Sequence, residues 1–208
     1  MVSTLKVTKI QIPNSDSDVI SLDASTGNIT FNKTISGSGY DLLASVYSTD
    51  TQASVEISLP TGYTSYYLTI YSETDTSSSG HYDLTFKRDG QSSFDTSDYS
   101  TQGALMDVTG NHLNTNSGGS SLQLIATNSG LNGAYYFNIW LNGYGTADVA
   151  SSMTYTVTKA VSGAGSATWV GGGANTVDAT NNSKMIAVNF APSTGNITKL
   201  HYRLFGIA

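Results

Sequence analysis

Cysteine is absent from this sequence of 208 residues, which excludes disulfide bonds, thiol catalysis and thiolate metal sites. The redox compartment stays open, because a chain without cysteine tolerates either environment. Charge is also scarce: 12% of the residues are charged, about half of the ~25% that is usual in a soluble globular domain. With two glutamates and two arginines in the chain, good helix formers are rare and a long charged helix is excluded.

Positive charge is too sparse for a nucleic-acid partner. The chain has nine basic and fifteen acidic residues, so its net charge is -6. No cluster of basic residues occurs that could bind along a phosphate backbone. No run approaches the ~20 apolar residues of a membrane helix, and residues 1–6 contain no apolar signal-peptide core. We therefore expect a protein that is made and kept in solution, with no membrane insertion.

The residues that are abundant favour β-strands. Thirteen tyrosines accompany many threonines and 21 glycines, and apolar and polar residues alternate cleanly in Tyr66–Tyr71 and Met153–Thr158. Nine strands are predicted: Leu42–Tyr47, Ala53–Leu59, Tyr66–Ser72, His81–Lys87, Leu122–Thr127, Ala134–Leu141, Met153–Ala160, Met185–Phe190 and Ile197–Phe205. Turn signals every eight to twelve residues and the lack of helical periodicity predict an all-β fold, an antiparallel β-sandwich or jelly roll.

A smaller N-terminal part precedes this series. Short strand-like runs occur at Leu5–Ile12, Val19–Leu22 and Ile29–Phe31, separated by turn clusters. A ribbon of this size is marginally stable alone, so we expect it to contact the main domain or another subunit. The predicted organisation is a β-strand extension over residues 1–36 and a jelly-roll domain over residues 37–208.

Two local patterns are typical of turns. Asp89-Gly90 suits a tight type I′ hairpin, in which backbone φ is positive. The hexapeptide Ser-Thr-Gly-Asn-Ile-Thr occurs at residues 25–30 and again at residues 193–198, each time before a strand. We interpret it as a recurrent turn, because Gly-Asn accepts positive φ and Ile-Thr begins a strand, and not as a domain duplication.

Three segments carry a likeness to a known family: residues 55–70, 82–90 and 185–207. Together they resemble the jelly-roll domain of bacteriophage virion fibre and decoration proteins. In that family a strand ending in Ile-Pro leads through Tyr to a second strand, and a later strand precedes Asn-Gly or Asp-Gly. The family domain closes on a Gly-Asn turn and a strand ending Leu-Tyr-Gly-Ile. This sequence has Leu59-Pro60, Asp89-Gly90, Gly195-Asn196 and a final Leu204-Phe205-Gly206-Ile207. The likeness covers about Leu42 to the C-terminus.

The resemblance implies a non-enzymatic virion structural protein on the phage particle surface, assembled in the host cytoplasm. It implies a homotrimer, with a tail adaptor or the major capsid protein as partner. The N-terminal part resembles the attachment segment of tail-fibre proteins, so the implied attachment residues are Leu5, Val7, Ile10 and Ile12. One implied function is a tail fibre or receptor-binding component whose distal loops contact the host cell surface. The alternative is a capsid decoration protein or head fibre bound to the major capsid shell.

Catalytic and metal chemistry finds little support in the residues. His81, His112 and His201 are isolated in sequence, without the spacing of a zinc site. Glycan hydrolysis would need two carboxylates; the nearest candidates are Glu73 with Asp75 and Asp95 with Asp98, and all four lie in Ser/Thr-rich segments typical of turns. No nucleophile elbow is present. We expect no catalytic residue, no metal ion and no cofactor.

Binding chemistry has better candidates, because tyrosine, asparagine and histidine side chains can stack on and hydrogen-bond to a glycan. Two long connections carry them, from Asp95 to Gly119 and from Asn142 to Asp148, and long loops often carry function. The predicted receptor-binding residues, with host surface polysaccharide as ligand, are Tyr99, Asn111, His112, Asn114, Asn142, Tyr144 and Asp148.

Seven of the remaining aromatic residues are interpreted from their positions inside predicted strands. They are Tyr66, Tyr67, Tyr71, Tyr135, Tyr136, Trp140 and Tyr155. Aromatic side chains at strand positions are typical of a core or a subunit interface, and we predict one of those roles for this set. Trp169, beside Gly171-Gly172-Gly173, fits either role: a core or interface residue, or a residue that binds a ligand.

Overall fold

The computed structural model describes residues 9–11, 18–22, 29–31, 39–97, 99–107, 110–124, 127–131, 133–145, 152–160, 166–175 and 184–207. The chain divides into two compact units, Met1–Asp41 and Leu42–Ala208. Throughout the described ranges the regular elements are strands, and no helix there is long and apolar enough to cross a bilayer.

The first unit contains a three-stranded antiparallel sheet. Its strands are β1 (Lys9–Gln11), β2 (Asp18–Leu22) and β3 (Ile29–Phe31), with β2 in the middle. Of the predicted attachment residues, Ile10 lies in β1 opposite Ile20. Leu5, Val7 and Ile12 lie outside the described residues, and attachment stays a prediction.

The second unit is an antiparallel β-sandwich. Its strands are β4 (Asp41–Ser48), β5 (Val55–Ser58), β6 (Ser65–Thr74), β7 (Ser79–Gly80), β8 (Tyr82–Arg88), β9 (Tyr99–Asp107), β10 (Gly110–Gly119), β11 (Leu122–Gln123), β12 (Thr127–Gly130), β13 (Ala134–Asn142), β14 (Ser152–Ala160), β15 (Ser166–Asn175), β16 (Met185–Pro192) and β17 (Ile197–Ile207). The large sheet has the order β10-β9-β15-β14-β13-β6-β17-β4, and the small sheet has the order β11-β8-β16-β5. A separate ribbon pairs β12 with β7. The predicted all-β sandwich with an N-terminal β-strand segment is confirmed.

Aromatic side chains form the centre of the core between the two sheets. The fully buried Tyr82 of β8 stacks on Phe190 of β16, with ring centroids 5.0 Å apart. From the large sheet, Phe137 and Tyr135 of β13 meet the edge of Tyr82 at 5.0 and 5.2 Å. Such offset and edge-to-face contacts add to the gain from burying apolar area, so these four rings join the sheets.

The alternating patterns predicted which side of a strand is buried. In β6, Tyr66, Leu68 and Ile70 are buried, whereas Tyr67 and Tyr71 are not. In β14, Met153, Tyr155 and Val157 are buried, while the intervening threonines keep contact with solvent. A single face of each strand therefore packs in the core, as period-two alternation requires.

The prediction of a long loop from Asp95 to Gly119 is wrong. Most of that stretch is the hairpin of β9 and β10, and β9 also pairs with β15. Asn, Ser and Gly dominate β10 and obscured its strand character, because they are typical of turns. The predicted strand Leu122–Thr127 is shorter, with β11 ending at Gln123.

Glycine explains why β15 was not recognised as a strand. Gly171 lies opposite Tyr155 of β14 and Gly103 of β9. A Cβ at Gly171 would come within 2.5 Å of the Tyr155 hydroxyl oxygen, and one at Gly103 within 2.7 Å. The two glycines therefore make room for the buried Tyr155 ring, a reason for glycine that only the tertiary fold supplies.

The Asp89-Gly90 turn forms, but it does not join two paired strands. Gly90 has φ of 84° and the Gln91 N–H donates to the Arg88 carbonyl over 3.1 Å. After the turn, the backbone of the following segment contacts β8 through one hydrogen bond, in which the Asp95 N–H donates to the Phe86 carbonyl over 2.8 Å. The prediction of a β-hairpin at this turn is wrong, since β8 pairs with β11 and β16 instead.

Candidate functional site: an aromatic groove on the large sheet

The outer face of the large sheet carries an ordered set of side chains on β13, β6 and β17. Alternate residues of these strands point away from the core, and the antiparallel registers place them in three rows across the sheet. The upper row is Trp140, Tyr67 and Phe205; the middle row is Asn138, Thr69 and Arg203; the lower row is Tyr136, Tyr71 and His201. We call the middle row and its two flanking rows the aromatic groove.

The upper row is a continuous aromatic surface. The Tyr67 ring lies 4.6 Å from Trp140 and 5.8 Å from Phe205 between centroids, the latter pair nearly parallel at 26°. The Tyr67 hydroxyl donates a hydrogen bond of 2.8 Å to Asn138 Oδ1. This bond fixes the side-chain amide of Asn138, whose Nδ2 donates to Thr156 Oγ1 of β14 over 3.4 Å.

The lower row is also aromatic, and its Tyr71 is held by an acid. The rings of Tyr71 and Tyr136 lie 5.0 Å apart, and 48% of Tyr136 is exposed. The Tyr71 hydroxyl donates to Glu73, and this bond, with burial, raises the pKa of Tyr71 to about 12. Hydrogen bonds from Tyr71 and then Lys199 hold the pKa of Glu73 below its usual value. Glu73 is therefore ionised and pairs with the Lys199 ammonium, 3.0 Å from Glu73 Oε2.

The middle row is polar and forms the floor of a concavity. A volume of about 280 Å³ lies over it, lined by Thr69, Tyr71, Tyr136, Asn138, His201 and Arg203 among others. Beyond His201, the exposed Tyr47 of β4 meets the histidine ring edge-on at 6.3 Å. The groove thus combines apolar ring faces with amide, hydroxyl, imidazole and guanidinium groups.

This chemistry suits a ligand that has both apolar faces and many hydroxyl groups. Ring faces at the wall accept the C–H surface of such a ligand. Asn138 and Thr69 on the floor and His201 in the lower row supply hydrogen bonds. Rows on one face of a strand repeat every two residues, roughly 7 Å, so adjacent rows can contact one sugar ring and its substituents. The arrangement can bind and orient such a ligand.

Tyr99 and Tyr144 were predicted to face a receptor, and both are instead fully buried. The Tyr99 hydroxyl accepts a 2.9 Å bond from the Phe86 N–H, inside the sandwich. The Tyr144 ring lies 4.6 Å from Phe86, and the backbone around it is fixed where the Met185 N–H donates to the Tyr144 carbonyl. The prediction that these two tyrosines form a contact surface is wrong, because both side chains pack inside the sandwich against Phe86.

The other predicted binding residues do not gather at one place that the structure describes. Asn111, His112 and Asn114 lie along β10, opposite Met106, Leu105 and Gly103 of β9, and only their backbone positions are described. Asn142 is the exposed last residue of β13. Asp148 lies outside the described residues.

The strand aromatics divide between two roles. Tyr66, Tyr135 and Tyr155 are buried in the core, as is Trp169. Tyr67, Tyr71, Tyr136 and Trp140 line the groove rows. Sequence reasoning missed Thr69, Asn138 and Arg203, although the outward positions of three predicted strands contained the signal.

The carboxylates considered for catalysis are engaged elsewhere. Asp75 accepts bonds from the Asn196 N–H at 2.7 Å and its side-chain amide at 3.0 Å, which lower the pKa of Asp75. A general acid in glycoside hydrolysis needs a raised pKa, and both Asp75 and Glu73 have the opposite shift. Asp95 forms a buried ion pair with Arg88, and Asp98 lies outside the described residues.

The described histidines are not grouped as metal ligands. His81 pairs with Asp83, with 3.1 Å between Nε2 and Oδ2, and Ser121 Oγ donates to Asp83 Oδ1 over 2.6 Å. The serine thus bonds to the aspartate and not to the histidine, unlike a catalytic triad. Across the described ranges, no three His, Asp or Glu residues cluster as a metal site.

The His81 pair makes stability depend on pH. The hydrogen bond to Asp83 raises the pKa of His81 above its ordinary 6.5, against the opposing effect of burial. Because the pKa of His81 is higher in the folded state, the pair adds to the free energy of unfolding. This stabilisation is complete at a pH below the pKa of the unfolded state and is lost as the pH rises through the pKa of the folded state. We expect His81→Gln to lower the melting temperature at about pH 5.5 but much less at about pH 9. Calorimetry of both proteins checks this, and a deficit that grows with pH would contradict it.

Comparison with protein-family models, with curated proteins and with solved structures finds no significant match to this chain.

Proposed function

We propose that this chain is a non-enzymatic bacteriophage virion protein of the tail-fibre or receptor-binding kind, and that the aromatic groove is its contact surface for the host. The observation that carries the proposal is the outward row pattern of β13, β6 and β17, in which two aromatic rows flank a polar one. Core packing does not explain aromatic residues there, because the opposite face of the same strands fills the core.

The organisation of the chain supports the same function. The chain divides into a small β unit, Met1–Asp41, and the sandwich unit, as expected when one part attaches to a particle and another part binds. The segments that resemble virion proteins, such as Leu204-Phe205-Gly206-Ile207, lie in the sandwich. Gly206 there is in contact with the Tyr63 ring, which would collide with any Cβ.

A homotrimer is part of the proposal. Strand β4 is at the edge of the large sheet and exposes apolar side chains: 58% of Leu42, 37% of Val46 and 68% of Tyr47. Edge strands are usually protected by charge or proline, and β4 has one acidic residue, Asp41, at its start. Burial of this edge against another copy would remove exposed apolar area.

Virion adsorption tests the function. Tyr136→Ala removes an exposed groove ring and is expected to reduce adsorption to host cells about tenfold, because a weak loss per site is multiplied over many copies. Val170→Thr is the matched control, since Val170 is 43% exposed on the same sheet but lies on β15, outside the groove. Light scattering must give the same trimer mass for both variants, and a monomer would contradict the trimer.

If virions with the two variants adsorb equally well, the groove does not bind the host. The location on the particle is a separate question, which gold-labelled antibody and electron microscopy of virions answer. Labelled tails are expected, whereas labelled capsids would favour the decoration protein.

A further inference from the structure

Most of the lysine and arginine side chains of the sandwich unit form ion pairs or lie against aromatic rings. Arg88 pairs with Asp95 in the interior, Lys199 pairs with Glu73, and Lys159 is buried over the Tyr135 ring at 5.3 Å. Lys87 lies 5.9 Å from the centroid of the Phe94 ring. These contacts leave little free positive charge on a protein whose net charge is -6.

Arg203 is the exception in the groove. It is exposed, it lies at the end of the middle row beside Thr69, and no described carboxylate forms an ion pair with it. Glu73, the acid next to the lower row, is occupied by Lys199 and Tyr71. The guanidinium group therefore faces the concavity with its donors available to a ligand.

A guanidinium group presents parallel N–H donors that match the two oxygens of a carboxylate. Tyr71 and Tyr136 line the same concavity as Arg203, and their rings offer apolar faces for a pyranose ring. Asn138 and His201 add hydrogen-bonding groups for hydroxyls. The volume of about 280 Å³ is close to the lower end of the roughly 300–1,000 Å³ that is usual for small-molecule sites.

We propose that the aromatic groove selects an acidic saccharide, with a sugar carboxylate bound by Arg203 and the pyranose faces bound by the tyrosines of the lower row. This inference rests on the proposed function and specifies its ligand class. A polyanion such as nucleic acid is not suited, because it draws on many cations and the groove supplies one guanidinium group.

Calorimetric titration of the full chain with trigalacturonic acid tests the inference, and its methyl ester provides the same sugar backbone without charge. Glucose 6-phosphate tests whether a phosphorylated sugar binds instead. We expect the acid to bind about tenfold or more tightly than the ester, since a charge-assisted pair is lost on esterification.

Arg203→Gln is expected to remove that preference, leaving the acid and the ester with equal affinity. Lys184→Gln is the matched control, because it removes one positive charge at the residue before β16, a strand of the small sheet, and is expected to change nothing. Equal binding of acid and ester to the unaltered protein, equal effects of the two variants, or binding of glucose 6-phosphate alone would overturn the inference. Absence of binding to trigalacturonic acid would overturn it as well.

The adsorption assay separates this inference from the proposed function. If Tyr136→Ala reduces adsorption and Arg203→Gln does not, the function stands and the acidic ligand is wrong. If both variants adsorb normally while the preference for trigalacturonic acid is found, the groove binds acidic saccharides but the proposed host attachment fails.

Discussion

Replacing Tyr82 by alanine is expected to lower the free energy of unfolding by about 3–5 kcal/mol, the range for large aromatic residues in cores. Tyr82 is fully buried, and its ring contacts Phe190, Phe137 and Tyr135. The loss therefore affects both sheets at their junction. Urea denaturation at fixed protein concentration measures it.

Tyr82→Phe separates ring packing from the hydroxyl group. That variant keeps the ring and removes a 3.2 Å hydrogen bond with Ser72 Oγ, and a loss of about 1 kcal/mol is expected. If Tyr82→Ala lowered the free energy of unfolding no more than Tyr82→Phe does, the ring contacts would not stabilise the sandwich.

Asp95→Ala is expected to cost about 3–5 kcal/mol, because it leaves the buried charge of Arg88 uncompensated. Arg88 is 3% exposed, and its Nε lies 3.1 Å from Asp95 Oδ2. Gln91 supports the pair by donating to Asp95 Oδ1 over 2.8 Å. The double variant Arg88→Met with Asp95→Ala is expected to recover most of the loss, since two apolar side chains need no partner.

Asp50→Ala is the control for this prediction, because Asp50 is an exposed carboxylate. Its effect is expected to stay within about 0.5 kcal/mol. Denaturation curves of the three variants and of the unaltered protein provide the comparison. A double variant no more stable than Asp95→Ala alone would show that the ion pair is needed for more than compensating charge.

The sequence was sufficient to predict the fold class and the buried side of several strands. Alternation in Tyr66–Tyr71 identified which residues enter the core, because successive side chains of a strand point to opposite faces of the sheet. The strands rich in glycine and asparagine, β10 and β15, were missed, since their pairing depends on neighbours. Gly171 is acceptable in β15 because Tyr155 fills the space beside it.

The candidate site was much less predictable than the fold. Thr69, Asn138 and Arg203 are far apart in sequence, and only the registers of β6 with β13 and β17 place them in one row. Tyr144 was assigned to the surface because its neighbours are typical of a turn, yet its ring is buried against Phe86. Pairing register and the path of a turn are tertiary properties, which local patterns do not determine.

The groove is assembled from strands that begin at residues 65, 134 and 197, and it exists only when all three are paired. A groove ligand consequently binds the native state and not the unfolded chain, so binding and folding are linked by mass action. A ligand present at a hundred times its Kd would add about 2.7 kcal/mol to the free energy of unfolding. The melting temperature of the unmodified protein can therefore report on groove occupancy, and a collection of saccharides can be screened by heat alone.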